Sequence, residues 1–254
     1  MILKCFFCLM LLCLSVSVQA KTVLISTGEF TPYCSSAIRE KGFVSHVIST
    51  AFSRQGYDVE FDFYPWKRAI KQSLSGSYDA TSWWAYNEDR AKEFLYSDAL
   101  LEVSVHFFFL KTRNGDFDWK TVDDLDGFRI GVTRGYYLSE EMEAYMKTDR
   151  AIFETVNDDK MNFKRLLKGR IDLFPMNSVA GVELLRSQFA PSIIHQVEYH
   201  SRAISIRPGY LLFPKNNKDS EELHKAFNKG LKEIKEDGTY EKMYDDLLTG
   251  YYSN

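Results

Sequence analysis

Val59, Phe61 and Phe63 alternate with Glu60 and Asp62, a period of two that predicts a strand. On either side the period is helical. Between Gly42 and Gly56, Val44, Val47, Ile48, Ala51 and Phe52 share one face, and Gly56 supplies the stop. Between Pro65 and Gly76 the inner face is Trp66, Ala69, Ile70 and Leu74. Thr22–Ser26 has the length and apolarity of a buried strand, and Tyr78–Ser82 predicts a third. The order is βαβαβ, which implies parallel strands joined by right-handed crossovers.

After the apolar run Val103–Leu110 and a polar stretch from Lys111 to Asp118, the pattern starts again. Strands are predicted at Phe128–Thr133, Ile152–Val156 and Ile171–Met176, with helices at Ser139–Lys147, Asp158–Lys168 and Ser178–Phe189. The restart carries an echo. Leu74-Ser75-Gly76-Ser77-Tyr78-Asp79-Ala80 and Leu167-Lys168-Gly169-Arg170-Ile171-Asp172-Leu173 share Leu-x-Gly-x-apolar-Asp-apolar, each closing a helix and opening a strand. Ala203–Phe213 predicts a returning strand, and Ser220–Ile234 and Thr239–Leu248 are amphipathic helices. The expected fold is therefore α/β with two lobes of similar build. The second, residues 112–207, is inserted into a discontinuous first, residues 21–111 and 208–254. Two crossings, near Leu110 and Arg207, form a hinge without a flexible linker.

Composition adds a location. Residues 1–20 carry one positive charge, Lys4, then an apolar run to Leu14, and finish Val18-Gln19-Ala20. This is the pattern of a cleaved secretory signal, too short to span a membrane comfortably. Three of four cysteines (Cys5, Cys8, Cys13) leave with it, so Cys34 has no intrachain partner and no cysteine metal site is expected. Without Lys4, 31 of the 32 basic residues remain against 35 acidic ones, a balance that argues against nucleic acid as partner.

In open α/β sheets, ligands sit beyond the carboxyl ends of strands. After the first strand come Glu29, Phe30 and Tyr33. After the third come Trp83, Trp84, Tyr86 and Arg90. After the first strand of the second lobe come Arg134, Gly135, Tyr136 and Tyr137, and after its third comes Asn177. This set suits a small anionic or zwitterionic ligand with a flat or apolar body. Asn87 is the expected N-cap of a helix in which Arg90 falls in the first turn, where a cation opposes the dipole. Two readings of Arg90 are open: a solvated arginine paired with a neighbouring carboxylate, or a receptor for an incoming anion. Glu29, His46 and His106 are the candidates for acid–base chemistry, but His46 lies on a helix and His106 in an apolar strand, positions that favour structural roles. There is no nucleophile elbow, paired metal-ligand histidine motif or phosphate loop.

Gly42-Phe43 at the first helix, Asp89-Arg90-Ala91 followed by Tyr96-Ser97-Asp98, Gly135 after a strand, and Gly238-Thr239-Tyr240-Glu241-Lys242-Met243-Tyr244 near the end resemble the polar-amino-acid class of periplasmic solute-binding proteins of ABC transporters. The resemblance implies a type II two-lobed clamshell, each lobe a mixed, mostly parallel sheet flanked by helices. It also implies a periplasmic, monomeric, non-enzymatic protein without cofactor that hands a small solute to an inner-membrane permease. In that family the arginine, here Arg90, clamps the ligand carboxylate. An aromatic, here Phe30 or Tyr33, stacks on the ligand, and N–H groups near Gly135 and Tyr136 assist. Two positions depart from the pattern: the usual aspartate for an α-amino group falls at Asn177, and a small serine-rich turn is replaced by Trp83-Trp84-Ala85. A carboxylate-bearing organic anion thus fits at least as well as an ordinary amino acid. A ligand-presenting sensor that docks on a receptor, and a dehydratase-like enzyme on the same fold, are the alternatives.

Overall fold

The computed structural model describes residues 21–253, so the predicted signal segment lies outside the described residues. Ten strands and ten helices run in the order β1 Lys21–Thr27, α1 Phe43–Ser53, β2 Tyr57–Phe63, α2 Trp66–Leu74, β3 Ala80–Ala85, α3 Glu88–Glu93, β4 Phe94–Tyr96, β5 Leu101–Leu110, α4 Lys111–Asn114, β6 Arg129–Thr133, α5 Glu140–Tyr145, β7 Ile152–Val156, α6 Asp159–Leu167, β8 Phe174–Asn177, α7 Ser178–Gln188, α8 Pro191–Ile194, β9 Val197–Tyr199, β10 Ser205–Pro214, α9 Ser220–Glu236 and α10 Thr239–Thr249. Among the described residues no helix is long and apolar enough to cross a membrane.

The first βαβαβ unit forms as its periods require. β1 pairs in parallel with β2 along its whole length and with β3 at Ile25 and Ser26. The second unit repeats this: β6 pairs in parallel with β7, and a parallel bridge from Ile130 to Leu173 brings in the segment leading to β8. The sequence echo has a structural cause. Asp79 donates its N–H to the Leu24 carbonyl at 2.9 Å, and its carboxylate accepts the Leu24 N–H at 2.9 Å. Asp172 does the same to Arg129, at 2.7 and 3.0 Å. In both units an aspartate supplies two bonds that align the opening of one strand with its neighbour, satisfying backbone groups at the sheet's margin.

Two ten-residue strands join the units. β5 pairs antiparallel with β10 from Leu101 to Val105, then changes partner to β8 from Val105 to Phe108 and to β9 from Phe108 to Leu110. β10 continues past β5 to pair with β3 and β4. The connection is therefore a pair of hydrogen-bonded strands.

One apolar cluster packs α1, α9 and α10 against the first unit, through Val47, Phe52, Phe227 and Leu247 among others, and continues onto one face of the second unit at Phe108, Phe163 and Phe174. A separate cluster around Phe107, Trp119, Ile130, Val132 and Tyr145 fills the other face. β5 feeds both, since successive side chains point to opposite faces.

Several boundaries differ from expectation; β8, for one, runs Phe174–Asn177 rather than Ile171–Met176. β3 starts and ends later than Tyr78–Ser82, so Trp83, Trp84 and Ala85 lie on the strand itself. Antiparallel pairing of Trp84 with Tyr210 and Ala85 with Gly209 extends it, and aromatic residues suit a pleated, half-buried surface. On α2 the buried positions are Ala69 and Ser73, whereas Trp66, Ile70 and Leu74 are only half-buried. Trp66 instead faces a cleft.

Candidate functional site

The cleft consists of adjoining cavities beyond the strand ends. The first, about 330 Å³, is lined by Phe30, Trp66, Trp83, Trp84, Ala85, Arg90, Val103, Arg207, Pro208 and Gly209. A second, about 300 Å³, shares Phe30, Val103 and Arg207 with it and adds Gly135, Tyr136, Tyr137, Met176 and Asn177. A third, about 340 Å³, shares Phe30, Tyr136 and Met176 with the second and reaches Asp159 and Glu183. Phe30 stands at the junction of all three.

The first wall is aromatic and densely packed. Trp66 meets Trp84 edge to face, with ring centres 5.3 Å apart, and Phe30 lies nearly parallel to Trp83 at 6.1 Å. Trp83 is packed so closely on β10 that a Cβ at Gly209 would fall 1.5 Å from its indole nitrogen. Only glycine permits that approach, and it fixes the wall's depth. The Trp84 indole donates to the Thr81 hydroxyl at 3.1 Å.

Arg90 enters from α3. Its N–H donates to the Asn87 side chain at 3.0 Å, the expected cap. Its guanidinium lies over Trp84, 5.1 Å from the ring centre, in cation–π range. Among the described residues no carboxylate lies within ion-pair distance of it: the nearby Asp89 pairs with Lys92 instead. The charge is felt by Tyr96, whose phenol burial raises and the Arg90 guanidinium partly lowers.

The other predicted residues divide. Phe30, Trp83, Trp84, Gly135, Tyr136 and Asn177 line the cleft together with Arg90. Tyr33 does not. It is 1% exposed, and its ring packs 5.0 Å from Trp83 and 5.4 Å from Phe30, behind the cleft surface. The expectation that Tyr33 stacks on a ligand is corrected on this point: it supports Phe30 from beneath. Its hydroxyl donates to Asn177 Oδ1 at 2.7 Å, and burial drives its pKa well above the usual phenol range.

Asn177 caps α7, accepting the Ala180 N–H at 2.8 Å on the oxygen that also accepts from Tyr33, while its amide donates to the Ser104 carbonyl at 3.3 Å. Both lone pairs of that oxygen are thus engaged. The Tyr136 N–H donates to the Thr133 carbonyl at 3.2 Å. Gly135 sits beside it at φ 85°, a conformation suited to glycine. Arg134 donates to Asn157 at 2.8 Å and lines a smaller cavity of about 140 Å³ away from Arg90.

Several cleft residues were missed by sequence reasoning, among them Trp66 and Arg207. Trp66 follows the second strand, so applying the strand-end rule to every strand would have found it. Arg207 was placed only at a lobe boundary. It lies on β10 where that strand crosses between the units, and its guanidinium donates to the carbonyls of Tyr137 at 3.4 Å and Leu138 at 2.6 Å. No local pattern marks it, because its partners come from the loop after β6.

The candidates for acid–base chemistry lie elsewhere. His46 is bonded to the Tyr252 hydroxyl at 2.9 Å, and His106 is held between the His200 carbonyl at 2.7 Å and the Ser104 hydroxyl at 2.8 Å. Glu29 is exposed and accepts from Ser36. Cys34 is buried, which pushes its thiol up to about 12. Among the described residues no group of three His, Cys, Asp or Glu is placed to hold a metal ion.

Two α/β units joined by paired strands around an aromatic cleft define a type II periplasmic-binding-protein fold. The chain belongs to the bacterial extracellular solute-binding proteins, family 3, which it matches over residues 23–249. It is 24% identical to the arginine-binding periplasmic protein of Mannheimia haemolytica over 244 residues, 92% of this chain and 94% of that protein. It is 29% identical to the lysine/arginine/ornithine-binding periplasmic protein of Escherichia coli K12 over 168 residues, 61% of this chain and 58% of that one. Its fold is similar to that of a probable amino-acid ABC transporter extracellular-binding protein from Bacillus subtilis, with a TM-score of 0.75 at 18% identity over 92% of this chain and all of the other. Family membership makes it a solute-binding protein rather than an enzyme.

Proposed function

We propose that the chain is a periplasmic binding protein that captures a small carboxylate-containing solute, an amino acid or related organic anion, and presents it to an inner-membrane ABC permease. Arg90 is the group that receives the carboxylate. The observation that carries this is its guanidinium, held over Trp84 in an aromatic cavity of about 330 Å³ with no carboxylate of the described residues in ion-pair range. Arginine suits the task because its planar fork meets both oxygens at once. Phe30, Trp83 and Trp84 supply the apolar surface, and Gly135, Tyr136 and Asn177 form the opposite side. The lobes divide at residues 111 and 207, and the β5–β10 pair is the hinge about which they close.

Purified protein should be stabilised against heat by at least one member of a panel of amino acids and organic acids, as mass action requires of a ligand that binds only the folded state. Arg90→Ala should remove that stabilisation. Undiminished binding by the variant would take Arg90 out of the site. Localisation is tested by fractionating cells that express the tagged full-length chain: recovery in the cytoplasm would overturn the periplasmic assignment.

A further inference from the structure

We infer that the solute is a dianion, an apolar or flat body bearing two acidic groups and no ammonium. This rests on the proposed capture of a carboxylate by Arg90 and names the substrate class.

Arg90 is one of two guanidiniums on the first cavity. Arg207 is the other. Its two bonds go to neutral carbonyls of Tyr137 and Leu138, and among the described residues it has no carboxylate partner. A guanidinium carries five N–H donors, so this anchoring leaves others for a ligand. Two uncompensated cations on one apolar cavity repel each other and raise the local potential, which an incoming pair of negative charges reverses.

The first two cavities offer a cation no counter-charge. The first cavity has no acidic residue in its lining, and neither has the second. Asn177, where the family resemblance would place an aspartate, has its oxygen occupied by Tyr33 and Ala180. The acids of the third cavity lie outside the linings of the first two: Asp159 accepts from the hydroxyls of Thr133 and Tyr136, and Glu183 from Ser253. An aromatic wall can cradle an ammonium through cation–π contact, but here two guanidiniums already stand on rings, Arg90 over Trp84 and Arg207 over Tyr137 at 4.4 Å, and they would repel a third cation. The geometry gives the tryptophans to the ligand's body and the two arginines to its ends.

The test is calorimetric titration of wild type, Arg90→Ala, Arg207→Gln and Arg207→Lys with glutarate, terephthalate, their monoamides glutaramate and terephthalamate, L-arginine and L-glutamine. Glutamine at position 207 keeps a polar donor on the side chain while removing the charge. At least one dicarboxylate should bind about tenfold or more tightly than its monoamide, a preference that Arg207→Gln erases and Arg207→Lys partly keeps. The monoamide should lose no more than about threefold affinity in Arg207→Gln, and Arg90→Ala should abolish binding of both. Equal binding of dicarboxylate and monoamide, or an equal loss of both in Arg207→Gln, would overturn the inference and leave Arg207 as a brace on the hinge. Preferential binding of L-arginine or L-glutamine that still depends on Arg90 would overturn it while sustaining the proposed function. Binding that ignores Arg90, or none across the panel, would overturn both.

Discussion

The two sides of the cleft are built from similar βαβαβ units yet stand in opposite states of satisfaction. On the first side, Arg90 has an aromatic face beneath it and no counter-charge. On the second, Asn177, Asp159 and Arg134 are each tied to protein partners, and the Tyr136 N–H is taken by its own turn. One wall has kept its strongest group available while the other has used its polar groups to fix its own shape. The difference is one of anchoring: the polar groups of the second side hold one another in place, whereas Arg90 rests on a ring.

The sharpest way to break the comparison is Arg90→Ala. It should cost about 2–5 kcal/mol of ligand binding, the range for removing one partner of a desolvated charge pair. Stability without ligand should change by less than about 0.5 kcal/mol, because Arg90 is half-exposed and pairs with no acid. Titration calorimetry and urea unfolding read the two quantities separately, and a large loss of stability would contradict the free state of this arginine.

Gly209→Ala attacks the wall itself. A methyl group 1.5 Å from the Trp83 indole nitrogen forces the ring or β10 to move, and overpacking of this kind costs about 1–3 kcal/mol in urea unfolding. Asn177→Asp would make the second side resemble the family pattern. It keeps the acceptor for Tyr33 and Ala180 but loses the donor to Ser104, and it adds a negative charge. Competition titrations should show preference moving from organic anions toward zwitterions by about tenfold, some 1.4 kcal/mol. No change in preference would mean that this position does not face the ligand.

Tyr33→Phe removes the hydroxyl that joins the first loop to α7. One lone pair of Asn177 Oδ1 then goes unanswered in a half-buried site, and stability should fall by about 1 kcal/mol. Ligand preference should stay unchanged, since the ring lies behind Phe30. The smallest effect is in pH. Burial lowers the pKa of His46, on α1 far from the cleft, below the usual 6.5. A group held below its unfolded value binds more protons when unfolded, so its contribution is present above 6.5 and fades as pH falls through that value toward its folded pKa. The melting temperature should decline slightly on acidification through this window, and His46→Gln should flatten the slope.

The sequence by itself determined the repeat and most of the elements. Val59, Phe61 and Phe63 fixed a strand, Val47, Ile48, Ala51 and Phe52 a helix face, and Asp79 and Asp172 announced the same junction twice, because these signals depend on neighbours a few residues away. The Asn87 cap was legible for the same reason. Only the tertiary structure decided which neighbour each charge meets. Arg90 and Arg134 are alike as residues after a strand, but one meets Trp84 and the other meets Asn157. Trp66 turned from core to cleft, Tyr33 from cleft to support, and Arg207 came in from β10. Compensation of a charge and exposure of a ring are set by groups remote in the chain, and no local period encodes them.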